Sequence, residues 1–211
     1  MPALPGGGMS FPANVFVLCT GRCGSMTLAR ACAALPGWTA GHESRTWRTG
    51  ADRLSYPPRH VEVDNRLSWL LGRLERSWGD SAAYVHLTRD PEAVAQSFAA
   101  RARQGIVRAY RMDILARSRR RAPDRPLIEE CRDYVDTVTA NIEAFLAGKR
   151  HVLPMRLETL AEDFDVFTGW IGAGGDLAPA RAAIRAVTNA TAGAARPAAA
   201  AARRPSKERP E

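Results

Sequence analysis

The chain has 211 residues, 45% of them apolar and 25% charged, with a formal net charge of +8, which is enough chain and apolar content for one domain with a sizeable core. No apolar run approaches the roughly 20 residues of a membrane span, and the N-terminus lacks the basic and apolar regions of a secretory signal. Cys19, Cys23, Cys32 and Cys131 form neither a disulfide scaffold nor a Cys-x-x-Cys metal pair, which points to a reducing, cytoplasmic setting.

Residues 1–13 read as a flexible leader, with Met9 as an alternative start. Residues 14–19, Asn-Val-Phe-Val-Leu-Cys, are a β-branched and aromatic run that predicts a strand. A loop with Gly21 and Gly24 follows, then a helix over 25–34 opened by Ser25 and closed by Pro36-Gly37. The two glycines can adopt backbone angles that a side chain blocks. The amides of Cys23, Gly24, Ser25, Met26 and Thr27 then converge on one anion at the positive end of the helix, and Arg22 adds a planar fork suited to oxyanions. That arrangement handles a phosphate or sulfate ester. It is not a Walker A loop, because two residues separate the glycines and no Gly-Lys-Ser/Thr follows. The bland alternative is an ordinary glycine-containing turn between strand and helix. Cys23 is also the candidate for a reactive thiol, since a helix N-terminus and an arginine both lower thiol pKa.

A second strand over 38–42 ends at His42-Glu43, which are either polar loop residues or a base at the strand tip. Residues 60–64 alternate so that His60, Glu62 and Asp64 share a face. Asp64 either ends this strand near the ligand crevice as a second candidate base or caps the helix that begins at Asn65. That helix is expected over 65–78, with Leu67, Leu70, Leu71 and Leu74 on one face. A fourth strand over 82–88 leads to Arg89 at its tip, Asp90 as helix cap and Pro91 in the first turn, with Ser97 two turns on. Arg89 and Ser97 either pinch one phosphate, or Arg89 bridges to Asp90 and Ser97 merely packs. His86 reads as a core histidine, and nothing pairs with His151. Helices are expected over 91–103, 106–120 and 127–147, a strand over 151–156, then a short helix or turn-rich cap carrying Leu160, Phe164, Phe167 and Trp170. A last helix over 180–188 precedes an Ala/Arg/Pro-rich tail from Ala192, expected to be disordered. One domain therefore spans 14–191. Its alternating strands and helices imply a three-layer α/β fold with a mostly parallel sheet of four or five strands, helices on both faces and a P-loop-like nucleotide site.

Thr-Gly-Arg-Cys-Gly-Ser-Met-Thr-Leu at 20–28, together with Leu-Thr-Arg-Asp-Pro, five residues and Ser at 87–97, resembles the two signatures of sulfotransferases that use 3′-phosphoadenosine 5′-phosphosulfate (PAPS). The likeness runs over roughly residues 14–172, because Arg156-Leu157-Glu158-Thr159-Leu160 is similar to a late strand-to-helix element of that family. By this resemblance, Gly21, Arg22, Cys23, Gly24, Ser25, Met26 and Thr27 hold the 5′-phosphosulfate, and Arg89 and Ser97 hold the 3′-phosphate. The implied reaction is in-line sulfuryl transfer to a hydroxyl or amine, with Arg22 stabilising developing charge and no metal required. Several bacterial members carry a base after the second strand, which makes Glu43 that base and leaves His42 to orient it or act instead. The chain departs from the pattern at Cys23, where serine is usual, and at Met26, where serine or threonine is usual; Arg22 replaces the lysine of the cytosolic branch, and the Arg-Lys-Gly closing loop has no match. A nucleotide-dependent phosphotransferase and a non-catalytic binder of anionic nucleotides are the competing readings.

The positive charge invites a nucleic-acid partner. It is concentrated in the tail and in Arg117-Ser118-Arg119-Arg120-Arg121, without interleaved aromatics for base stacking, so it reads as a solvated face. The expected partner is a small-molecule or carbohydrate acceptor, acidic ones being favoured by basic rims, with no nucleic acid.

Overall fold

The computed structural model of the chain describes residues 11–101, 105–115 and 126–194. Most of the leader, the cluster at Arg117–Arg121 and the tail beyond Ala194 lie outside the described residues. Within them, five strands form one sheet: β1 (Asn14–Leu18), β2 (Thr39–His42), β3 (His60–Val63), β4 (Ala83–Thr88) and β5 (Val152–Arg156). All pairings are parallel and the order is β2-β3-β1-β4-β5. Parallel neighbours need crossovers, and helices cover both faces. α1 (Ser25–Ala33), α2 (Leu71–Ser77), α3 (Pro91–Ala99), α4 (Gly105–Ala109) and α5 (Leu127–Leu146) lie on the connections between strands, and α6 (Leu160–Trp170) and α7 (Ala178–Ala194) follow the last strand.

The alternation along β1 shows how the layers are built. Val15 and Val17 pack with Leu28 of α1, Phe164 and Phe167 of α6 and Ile184 of α7. Phe16 and Leu18 face the other way, into a second core with Leu74 of α2, Phe98 of α3 and Tyr134 and Ile142 of α5. Burial on both faces explains why β1 is a near-continuous apolar run. Tyr134 also reaches the loop after β1, its hydroxyl donating to the Thr20 carbonyl at 2.8 Å. Since β1 is flanked by β3 on one side and β4 on the other, the connections diverge at its C-terminal end. That divergence opens the crevice where open α/β sheets bind ligands.

Two expected helices differ. The helix over 65–78 is instead a 3₁₀ turn at Asn65–Trp69 followed by α2. Asp64 accepts from the Arg66 amide at 2.8 Å, which starts the chain as a tight turn, and Leu70 at φ −120° interrupts it. The helix expected from 106 is α4 followed by a wide π-type turn at Tyr110–Leu115. The turn widens where the buried Tyr110 hydroxyl is held by Asp133 and Thr137 of α5. α3 ends at Ala99, short of 103, and α7 runs beyond the expected 180–188. No helix among the described residues is long and apolar enough to cross a membrane.

Candidate active site

Because all five strands run the same way, each delivers a residue to one cleft at their C-terminal ends. The cleft holds about 360 Å³ and is lined by Gly21, Arg22, Gly24, Ser25 and Met26 after β1, His42 and Glu43 at the tip of β2, Asn65 after β3, Arg89 after β4 and Leu157 after β5.

The loop after β1 is left-handed at Gly21 (φ 85°), Arg22 (φ 61°) and Gly24 (φ 86°). Such runs turn successive amides toward one concavity. Gly24 occupies the N-cap position of α1 with no side-chain cap, and the first turn carries no acidic residue. The Ser25 amide is engaged by the Cys23 thiol, and the amides that follow it in the first turn have no side-chain cap and keep their hydrogen-bonding capacity for a ligand, at the positive end of the helix. Cys23 and Thr27 are buried, so only their backbone faces the loop's concavity. The reactive-thiol expectation for Cys23 is corrected on this ground. The Cys19 thiol does lower the Cys23 pKa by hydrogen bonding to it, but Cys23 is 0% exposed. A Cβ at Gly24 would be strained at φ 86° and would lie 2.6 Å from Leu157 Cδ1, which would have to move. Gly24→Ala is expected to lose about 1–3 kcal/mol of stability through strain at this φ. Gly72→Ala, in open space within α2, should instead gain roughly 0.5–1 kcal/mol. Urea denaturation of both variants checks the contrast, and equal midpoints would remove the steric account.

Arg22, Arg89 and Ser97 come together, but Ser97 pairs with Arg22 and not with Arg89 as the sequence reading expects. Arg22 Nε donates to Ser97 Oγ at 3.0 Å, and Arg89 Nη1 donates to the Arg22 carbonyl at 3.2 Å. Burial, and then the like charges of Arg101 and Arg89, hold the Arg22 guanidinium below the usual arginine range. Among the described residues no ion pair engages Arg22, Arg89 or Arg101, and Arg89 makes no bridge to Asp90. Asp90 caps α3 through the Ala93 amide at 2.8 Å, as expected. Three guanidinium groups drawn together without a carboxylate form a site for an anion.

His42 Nε2 shares a hydrogen bond of 3.1 Å with Ser25 Oγ of α1. Burial holds its imidazole pKa below the ordinary value, against the pull of Asp64 and Glu62, so the ring is neutral at pH 7. Glu43 is held in a left-handed conformation (φ 51°) and its carboxylate is paired with Arg66. The next residue fixes that turn: Ser44 donates through its amide and hydroxyl to Glu62 at 2.7 and 2.6 Å. Glu62 is fully buried and also bonded to His60 at 3.0 Å. Burial opposes its ionisation, yet the hydrogen bonds from His60 and Ser44 hold its pKa below the usual carboxylate value. Among the described residues three non-glycine residues have positive φ, namely Arg22, Glu43 and Arg59. Two of them line the cleft, and backbone strain of this kind gathers at functional sites. Asp64 takes the capping alternative. It is buried and bound to Arg53 at 2.5 Å and to the Arg66 amide.

No family model matches the chain, and no curated protein matches it. Among solved structures it is similar to the sulfotransferase domain from the curacin biosynthetic pathway, with a TM-score of 0.59 at 14% identity, covering 81% of this chain and 77% of that one. The fold is similar to that of a sulfotransferase domain.

Within this sulfotransferase-like fold, three contributors escape the sequence reading. Arg101 lies one helical turn beyond Ser97, and that i,i+4 spacing is the signal that could have found it. Asn65 lines the cleft with its Oδ1 buried and without a partner, a polar atom available to a ligand. Arg66, which grips Glu43, carries no local signal, because the two residues lie on different loops. Among the described residues, no cluster of three or more His, Cys, Asp or Glu is placed to hold a metal ion.

Proposed function

We propose that the chain is a sulfotransferase that moves a sulfuryl group from PAPS to a hydroxyl or amine of a small-molecule acceptor in the cytoplasm. The observation that carries this reading is the cluster of Arg22, Arg89 and Arg101, with no carboxylate partner among the described residues, beside the uncapped N-terminus of α1. PAPS has two anionic ends. We assign the amides of residues 23–27 and Arg22 to the 5′-phosphosulfate and Arg89 with Ser97 to the 3′-phosphate, the Arg22–Ser97 bond giving way to the ligand's oxygens. PAPS, when bound, supplies an activated sulfuryl group: its bond to the 5′-phosphate oxygen breaks as the acceptor bonds the sulfur, the electron pair leaving with the product PAP. Arg22 and the loop amides provide fixed positive charge and dipoles for the negative charge that develops. Glu43 receives the acceptor's proton, and His42, bonded to Ser25, orients the tip of β2 or takes that role itself.

Calorimetry with PAP and AMP, which differ only in the 3′-phosphate, tests the assignment. One charge-assisted contact contributes roughly 1.5–3 kcal/mol, so PAP should bind about 10- to 150-fold more tightly. Arg89→Ala should abolish that preference and leave AMP binding intact. Equal affinity of the parent protein for PAP and AMP would overturn the reading, and tight magnesium-dependent ATP binding would favour the phosphotransferase.

A further inference from the structure

A second cavity, of about 420 Å³, lies against the first. Its size falls in the roughly 300–1,000 Å³ range of small-molecule sites. Trp69, Leu70, Ile106, Ala109, Tyr110 and Ile114 give it an apolar floor. Ile114 is 56% exposed and Trp69 37% exposed, so large apolar side chains stand open to water where a ligand would cover them. The polar lining is one-signed: among the described residues Arg48, Arg53, Arg66 and Arg73 line the cavity with Thr49, and no acidic residue does. Three of these arginines have carboxylate partners: Arg53 with Asp64, Arg66 with Glu43 and Arg48 with Asp52. Arg73 is different, since its described partner is the neutral carbonyl of Gly50 at 2.5 Å. Arg66 also joins the two cavities. It lines this one, while its guanidinium grips Glu43, which lines the cleft described above.

We propose that this cavity is the acceptor site and that it takes a hydroxy acid with an extended apolar body, the carboxylate on Arg73, the chain over Trp69 and Ile114, and the hydroxyl at the Glu43 end. Charge complementarity selects the acid. A carboxylate gives Arg73 the anionic partner it lacks, and a cationic acceptor would meet four guanidiniums. The apolar floor selects the body, since each buried methylene favours binding. That the hydroxyl receives sulfate rests on the sulfotransferase reading; binding in the cavity does not.

The probes are 10-hydroxydecanoate, 1,10-decanediol and (10-hydroxydecyl)trimethylammonium, titrated by calorimetry into the full-length protein and, separately, PAP. The hydroxy acid should bind at least tenfold more tightly than the diol, and the cation most weakly. Arg73→Gln should bring the hydroxy acid down to the affinity of the diol. Ala109→Trp, placed on an exposed position of the floor, should weaken both by tenfold or more. Both variants should keep the parental affinity for PAP and the parental thermal midpoint. Equal binding of acid and diol by the parent, no binding of the acid, or undiminished binding to Ala109→Trp would each overturn the proposal. Failure of PAP to bind while the hydroxy acid does would overturn the sulfotransferase reading and leave the cavity assignment standing.

Discussion

Arg53→Ala is expected to lose about 3–5 kcal/mol of stability, the range for stranding one member of a buried ion pair. Asp64 is 0% exposed and Arg53 4% exposed. The Arg53 guanidinium donates to Asp64 Oδ2 at 2.5 Å and to the Tyr56 hydroxyl at 3.2 Å. Burial pushes the Asp64 carboxyl up from its ordinary 3.8, and Arg53 is the main opposing influence. With Arg53 removed, the carboxylate must either stay charged in an apolar setting or take up a proton. A folded-state pKa above the unfolded value means that unfolding releases a proton, so stability falls as pH rises through the folded pKa. The deficit of Arg53→Ala should therefore be larger at pH 7 than near pH 4. Arg53→Met combined with Asp64→Asn removes the buried charge and keeps an oxygen for the Arg66 amide, and it should recover at least half of the loss. Urea denaturation at the two pH values measures all of this. A single variant within about 1 kcal/mol of the parent would show that the pair contributes little.

The stakes at this pair reach the site. Asp64 sets the turn that carries Asn65 and Arg66, and Arg66 in turn holds Glu43. On the β2 side, Glu62 holds Ser44 and so fixes the backbone of Glu43. Gly41 is required for that approach, since a Cβ there would lie 2.5 Å from Glu62 Oε2. Two buried acids on β3 and just beyond it thus position the candidate base on the neighbouring strand.

Local patterns made much of this frame legible. β1, β3, β4 and β5 fall on runs that carry apolar and β-branched residues, whereas β2 is the short Thr-Ala-Gly-His stretch at Thr39–His42, and β1 reads as a central strand because both of its faces are buried. Gly21, Gly24, Arg89 and His42-Glu43 are visible because each sits at the end of a strand or in the loop that follows it, where chain direction alone carries it to the crevice. Contacts between separate loops were not visible. Ser97 was paired in expectation with Arg89, eight residues away, yet it bonds Arg22 across 75 positions. Cys23 looked reactive from its neighbours in sequence, but its side chain turns into the core beside Cys19. The helix over 65–78 had the right periodicity and lost its first turn to the Asp64 cap and the Arg53 pair, a tertiary demand that outweighs propensity.

Glu43→Gln is expected to slow sulfuryl transfer by about 10²–10⁴-fold, the contribution of a positioned general base. PAP affinity should stay within about twofold, since the contacts proposed for the 3′-phosphate are Arg89 and Ser97, and a uniform binding loss would show in affinity rather than in turnover. Glutamine keeps the length of the side chain and can still accept from Arg66, so the left-handed turn and the Ser44–Glu62 bonds that hold it stay in place and stability is unaffected. What is lost is the capacity to take a proton. Labelled-sulfate transfer from PAPS to 10-hydroxydecanoate, or to any acceptor found by screening, gives the rate. The Arg66 ion pair makes a second variant informative: Arg66→Ala frees the carboxylate and should leave transfer far faster than Glu43→Gln does. His42 is the alternative base, neutral near pH 7 because burial lowers its pKa from 6.5. If Glu43→Gln transfers sulfate at the parental rate while His42→Gln loses two orders of magnitude or more, the proton goes to the imidazole. Glu43 would then serve only to anchor Arg66, at the wall between the two cavities.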